Sequence, residues 1–120
     1  MSPYDRQTKL DGINVYLIRK VKAILSEINR IAPPGWKLDI FETWRTPERQ
    51  LLLFNRGYSK TKNSLHIKGR AVDLVWRHNG IWTWSAPYLT NNRNGWRQLD
   101  ICRENHGLRS LSWDKPHCQI

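Results

Sequence analysis

The 120-residue sequence predicts a single small α+β domain spanning residues 1–120, an antiparallel sheet with helices packed against it. Three observations carry this. Leu10, Ile13, Leu17, Val21, Ile24, Ile28 and Ile31 recur at alternating steps of three and four and lay one apolar stripe along a helix. The β-branched run "RAVDLVW" is followed, across Asn79-Gly80, by "IWTW", the pattern of a hairpin. Strand-like and helix-like segments alternate without repeat, linker or low-complexity tract.

Taken in order, the first helix ends at "APPG", because Pro33 and Pro34 cannot continue it and bias the preceding residue towards extended geometry. Arg19, Lys20, Lys22 and Arg30 lie largely off its stripe, so the apolar side reads as core. "WKLDIFETW" follows as a strand, with Trp36, Leu38, Ile40 and Glu42 assigned to one side. In "TPERQLLLFNRG", Thr46 can cap, Pro47 suits the first helical position, and Gly57 can stop the helix. "YSKTKNS" reads as a polar loop. After the hairpin and the Asn-rich "LTNNRNG", Trp96, Leu99, Ile101 and Cys102 fall at helical spacing up to His106, with Gly107 as the stop. A short strand around "PHCQI" closes the chain.

Composition narrows the function classes. With 39% hydrophobic residues, 25% charged and seven Trp, the chain has the material for a packed core rather than disorder. The first residues do not read as a secretory signal and no run of about 18 apolar residues occurs, so a soluble product made in the cytoplasm is expected. Two cysteines, Cys102 and Cys118, are too few for a disulfide framework, and thiols are expected. A net charge of +10, spread from Arg6 to Lys115, favours a polyanionic partner: nucleic acid, anionic membrane or anionic cell-wall polymer.

Chemistry gathers in "SLHIKGRAVDL". Zinc takes neutral imidazole nitrogen and carboxylate oxygen, and a catalytic zinc needs three protein ligands with a fourth position open. His66 and Asp73 offer two, and Gly69 between them permits a sharp turn. His117 in "WDKPH" is the candidate third ligand, with Asp114 three residues earlier, where a general base would stand. Each signal alone also has a structural reading: a His before an apolar strand is often packed for structure, and Asp-x-Pro turns are common.

Together, "SLHIKGRAVD" and "DKPH" resemble the Ser-x-His-x6-Asp and Asp-x-Pro-His motifs of the zinc peptidoglycan peptidases, which include D-Ala-D-Ala carboxypeptidases, vancomycin-resistance dipeptidases and phage endolysins. "WRTPERQ", Trp44 to Gln50, resembles that family's Arg-Thr-x-x-Arg-Gln segment, and the resemblance spans about residues 10 to 120. It implies a hedgehog/D-Ala-D-Ala-peptidase-like fold, one Zn2+ per chain on His66, Asp73 and His117, and Asp114 as catalytic base. It also implies Arg45 as catalytic and substrate-holding, with Ser64 and Gln50 as substrate-binding or supporting residues. Arg45 is expected in the substrate cleft and not in a structural ion pair. "GLRSLSW" departs from the longer phage enzymes, where a bulkier insert precedes the base.

The resemblance, the small size and the charge imply a phage or prophage endolysin that cleaves the L-alanyl-D-glutamate bond of peptidoglycan. Such an enzyme is made in the bacterial cytoplasm, released to the wall by a holin, and acts as a monomer without a specific nucleic-acid partner. Anionic cell wall or membrane could attract the basic surface. Two alternatives stand beside this: a D-alanyl-D-alanine carboxypeptidase or dipeptidase, and a basic zinc-containing binding module without catalysis, its metal held by Cys102, His106, His117 and Cys118. The second is disfavoured because adjacent strand residues His117 and Cys118 point to opposite faces. His78 and His106 are expected as surface or capping residues, and Glu104 is the next carboxylate after Asp114.

Overall fold

Asn14 starts the first helix. Its side-chain oxygen accepts from the N–H of Tyr16 at 2.9 Å and of Leu17 at 3.2 Å, and α1 runs Val15–Arg30. The apolar stripe that begins at Leu10 in sequence therefore enters the helix later than its spacing predicts, because Gly12 turns the chain at φ +78° and Asn14 caps behind it. Ile13 still packs into the core from outside the helix. The computed structural model describes residues 2–111 and 114–120, with the side chains of Ser110, Leu111 and Asp114 outside that description.

The remaining elements are β1 (Trp36–Glu42), α2 (Pro47–Asn55), a 3₁₀ turn (Leu65–Lys68), β2 (Ala71–His78), β3 (Ile81–Thr83), α3 (Gly95–Asn105), β4 (Arg109–Leu111) and β5 (Asp114–Gln119). Thr46 caps α2 by accepting from Arg49 N at 3.0 Å, as its position before Pro47 predicts. Asn79 and Gly80 both take positive φ between β2 and β3, which is what a type I′ hairpin turn requires. Strand β4 and the 3₁₀ turn have no counterpart in the sequence reading; β4 is three residues long and exists by pairing with β5. No helix among the described residues is long and apolar enough to cross a membrane.

The sheet is antiparallel in the order β1-β2-β5-β4, with β3 also paired to β2. Its two faces do different work. Leu38 on β1, Val72, Leu74 and Trp76 on β2 and Cys118 on β5 face one side and join Leu17, Val21, Ile24 and Ile28 of α1 and Leu99 of α3 in one core. Each such aliphatic side chain contributes about 1.5–3 kcal/mol on burial, so this face supplies most of the fold's stability. Asn29 fastens α1 to the outer edge of β1: it donates to Leu38 O at 2.9 Å and accepts from Leu38 N at 2.7 Å. The opposite face of β2 carries Asp73 and Arg77 beside the buried Ala71 and Val75.

Between the 3₁₀ turn and β2 the chain reverses at Gly69, φ +68°, which caps the turn through its N–H to His66 O and accepts from Asn14 N at 2.8 Å. A Cβ at this position would lie 2.1 Å from Gly12 O, a backbone atom that cannot swing away. Gly69→Ala is therefore expected to destabilise the protein by at least about 2 kcal/mol, from left-handed strain and a backbone clash together. Urea unfolding checks this, and an unchanged midpoint would show that the turn does not need glycine.

Candidate metal centre and cleft

Strand register builds the site. Asp73 stands directly opposite His117 on β5 and opposite Glu42 on β1, so three polar side chains form one row across the sheet on the face away from the core. A bulge makes this row possible. Ile40 pairs with Leu74, but the next partner pair is Glu42 with Asp73, so Phe41 is the extra residue. Without the bulge, Phe41 would take the place beside Asp73. The sequence reading put Glu42 on the side of Leu38 and Ile40; the bulge corrects this by turning it to the opposite face, where it is 2% exposed.

His66 arrives over this row from the 3₁₀ turn. The segment that follows β1 is laced to the turn: Arg45 N donates to His66 O at 3.0 Å, and Trp44 Nε1 donates to Ile67 O at 3.0 Å. Thr43 is the pivot. Its carbonyl lies 2.8 Å from His66 Nδ1, an atom that can meet it only as a donor. The neutral ring then carries its lone pair on Nε2, which is buried, lies 3.2 Å from Asp73 Oδ2, and has no hydrogen-bond partner among the described residues. A lone pair facing a carboxylate is repulsive unless a cation stands between them, either a proton on His66 or a metal ion.

His117 is oriented from the other side. Its Nε2 lies 2.8 Å from Gln119 Oε1 and its Nδ1 lies 3.0 Å from Asp73 Oδ1. With Nε2–H donated to the Gln119 amide oxygen, Nδ1 carries the lone pair and points at the row. One ligand atom each from His66, Asp73 and His117 lies within 4.8 Å of the other two, and all three residues are buried. Two imidazole nitrogens and one carboxylate oxygen, each imidazole fixed by a hydrogen bond at its far nitrogen, form a donor set that fits zinc.

Charges around the row are balanced in pairs. Burial pushes the Asp73 carboxyl up, but His66 and His117, when they carry a proton towards it in place of a metal ion, overcome burial by charge and hydrogen bonding and hold the group well below the usual carboxylate range. Burial likewise opposes ionisation of Glu42, and Arg45 and Arg49 outweigh it, so its pKa is lowered. Arg45 reaches Glu42 through Nε at 3.1 Å and Nη2 at 2.9 Å, Asp73 through Nη2 at 3.4 Å, and Gln50 Oε1 through Nη1 at 2.7 Å. Arg49 adds Nε to Glu42 Oε2 at 2.5 Å. The cleft above this floor holds about 450 Å3, and its walls include Arg45, Arg49, Ser64, Tyr58, Phe41 and Trp84.

His66, Asp73 and His117 thus converge as their spacing suggests, and Ser64 sits on the cleft wall, capping the 3₁₀ turn by accepting from His66 N at 3.2 Å. Two expectations need correction. Arg45 lines the cleft but is also bound into a buried ion pair with Glu42 and Asp73, because two carboxylates flank it. Gln50 is fully buried behind Arg45 and is not a cleft-wall residue; it donates to Ser59 Oγ at 2.8 Å and Thr61 O at 2.5 Å, tying α2 to the following loop. The side chain of Asp114, the expected base, lies outside the described residues.

Cys102 contacts Gln98 and Glu27, Cys118 is buried in the core, and the two form no disulfide. The alternative metal set of Cys102, His106, His117 and Cys118 does not come together among the described residues. His106 ends α3 and lies 3.0 Å from Glu27, while His78 stacks on Trp36 with centroids 4.1 Å apart. Glu42, Thr43 and Gln119 are site residues that sequence reasoning missed. For Glu42 the available signal was a carboxylate in an otherwise apolar strand alternation.

The ion pair makes a testable claim. Glu42→Gln leaves two guanidinium groups without their buried carboxylate and is expected to cost about 3–5 kcal/mol at pH 7. Glu42 has a folded pKa below its unfolded value, so its stabilisation is present above the unfolded value of about 4.3 and is lost as pH falls through the folded one. Urea unfolding at pH 7 and in acid should show the gap between wild type and Glu42→Gln closing at low pH. A gap of equal size at both would contradict the ion-pair account.

No family profile and no curated protein matches the chain. Among solved structures, its fold is similar to the crystal structure of Serratia marcescens L-Ala D-Glu endopeptidase ChiX, at 22% identity and a TM-score of 0.67, over 98% of this chain and 90% of that one. The α+β fold of this protein is similar to the fold of that structure.

Proposed function

We propose that the protein is a zinc-dependent peptidoglycan hydrolase that cleaves the stem peptide at the L-alanyl-D-glutamate bond, with one zinc ion held by His66, Asp73 and His117. The observation that carries this reading is the buried, unpartnered Nε2 of His66, aimed with His117 Nδ1 at an ionised Asp73 on the floor of an open cleft. The name of the Serratia structure, an L-Ala D-Glu endopeptidase of similar fold, supports the choice of bond.

Zinc, when bound, supplies a Lewis acid that polarises a carbonyl and lowers the pKa of water towards about 7. The chain's own residues do the rest. Thr43 and Gln119 hold the two imidazoles in the tautomers that present lone pairs to the cleft. Arg45, fixed by Glu42 and Gln50, keeps a positive charge on the wall beside Asp73, where it stabilises negative charge developing on the scissile carbonyl oxygen. Asp114, three residues ahead of His117 on β5, is assigned the general base that takes the proton of the attacking water and returns it to the leaving amine. Ser64 is placed as a hydrogen-bonding partner of substrate at the cleft wall.

The +10 charge suits a protein that works on anionic bacterial wall, and a phage or prophage endolysin, made in the cytoplasm and released by a holin, is the setting we assign. Mass spectrometry of peptidoglycan digested by the full chain tests the reading. New N-terminal D-glutamate supports it; released D-alanine makes the protein a carboxypeptidase instead, and intact muropeptides make it a binding module.

The base assignment has its own check. Asp114→Asn is nearly isosteric and cannot accept the proton, so turnover should fall by roughly 10² to 10⁴ while zinc content stays the same. Metal analysis beside kinetics reads both. Loss of zinc would make Asp114 a ligand, and near wild-type turnover would move the base to another carboxylate, with Glu104 the next to test.

A further inference from the structure

One wall of the cleft continues outward as an aromatic surface. Phe41, displaced by the β1 bulge, and Trp84, just beyond β3, both line the cleft. Their rings meet edge to face at 4.9 Å and 81°, and Phe41 makes a second such contact with Trp82 at 5.4 Å and 85°. Yet Trp84 remains 53% exposed and Trp82 43%. The backbone of Trp84 is pinned, since its carbonyl accepts from Trp96 Nε1 at 2.8 Å. A large ring held rigid at a cleft mouth offers contact area with little entropy left to lose on binding.

We infer that Trp84, backed by Phe41, is the subsite for a sugar ring of the glycan strand to which the stem peptide is attached. The inference rests on the peptidoglycan reading above and names a part of the substrate which that reading leaves open. In peptidoglycan the L-alanine amino group is joined to the lactyl arm of the sugar, so the L-alanyl-D-glutamate bond lies one residue from it. One extended residue spans no more than about 3.6 Å, so a cleft that holds the bond also brings the sugar to its rim.

A pyranose presents one face of C–H groups, which pack on the electron-rich face of an indole while its hydroxyl and acetamido groups stay at the edge in water. The cleft is also lined by Tyr58, 76% exposed on the polar loop after α2, with no ring contact among the described residues. A glycan strand runs on past one sugar, and the Trp84 side is where aromatic surface runs on with it, to Trp82 under the Arg6 guanidinium at 3.9 Å.

The test uses the full chain with two probes. The first is peptide-free glycan strands, whose binding is followed through the tryptophan indole N–H signals by NMR. Trp84→Ala should weaken that binding by roughly tenfold, the scale of one good aromatic contact, and Trp84→Phe should recover most of it. The second compares cleavage of a sugar-linked stem peptide with the same peptide lacking sugar. In Trp84→Ala, kcat/KM on the sugar-linked substrate should fall about tenfold further than on the bare peptide, a ratio that a reduced folded fraction leaves unchanged. Equal losses on both substrates, or glycan binding indifferent to Trp84→Ala, would overturn the inference. If the wild type binds glycan through Trp84 but cleaves neither peptide, the hydrolase reading fails and the subsite stands; if it cleaves both equally well, the reverse holds.

Discussion

The arrangement of this protein depends on keeping one buried carboxylate ionised in the middle of a sheet. Asp73 sits on β2, the strand to which β1, β3 and β5 all pair, and it is largely buried at the floor of the cleft on the face opposite the core. A carboxylate so placed is costly unless its neighbours offset the desolvation, and both imidazoles and Arg45 converge on it for that reason. The same convergence that keeps Asp73 charged gathers metal-ligand atoms at one point. Electrostatics of folding and chemistry of the site are here one constraint.

The sheet meets that constraint through register. Antiparallel pairing puts Asp73 opposite His117 without further help, but Glu42 reaches the row because β1 gains one residue at Phe41. The bulge has two effects at once. It brings in the carboxylate that anchors Arg45 and Arg49, and it sends an aromatic ring to the cleft wall, where it props Trp84. Thr43, the next residue, then presents the carbonyl that selects the tautomer of His66. A local irregularity of one residue thus connects anion balance, ligand orientation and the shape of the cleft mouth.

Much of this was legible in sequence where the signal is local. Helix α2 reads from Thr46, Pro47 and Gly57 because caps act over a few residues, and the hairpin reads from Asn79-Gly80 because few residues tolerate positive φ. His66, Asp73 and His117 were legible as blocks whose residue types suit zinc. What was not legible depends on pairing between distant segments. The bulge exists relative to β2, Gln119 acts on His117 only once β5 is formed, and Gln50 is held by Ser59 and Thr61 only once the loop after α2 folds back on it. The early start of the apolar stripe at Leu10 misled for the opposite reason: Ile13 joins the core from a loop, so helical spacing continued where the helix did not.

X-ray absorption at the zinc edge of the purified, zinc-loaded full chain addresses the central claim most directly, since it reports which atoms surround the metal. The account predicts one zinc per chain in a shell of nitrogen and oxygen at about 2.0 to 2.2 Å with histidine scattering and no sulfur. Sulfur at about 2.3 Å, or no zinc retained by the folded protein, would contradict it.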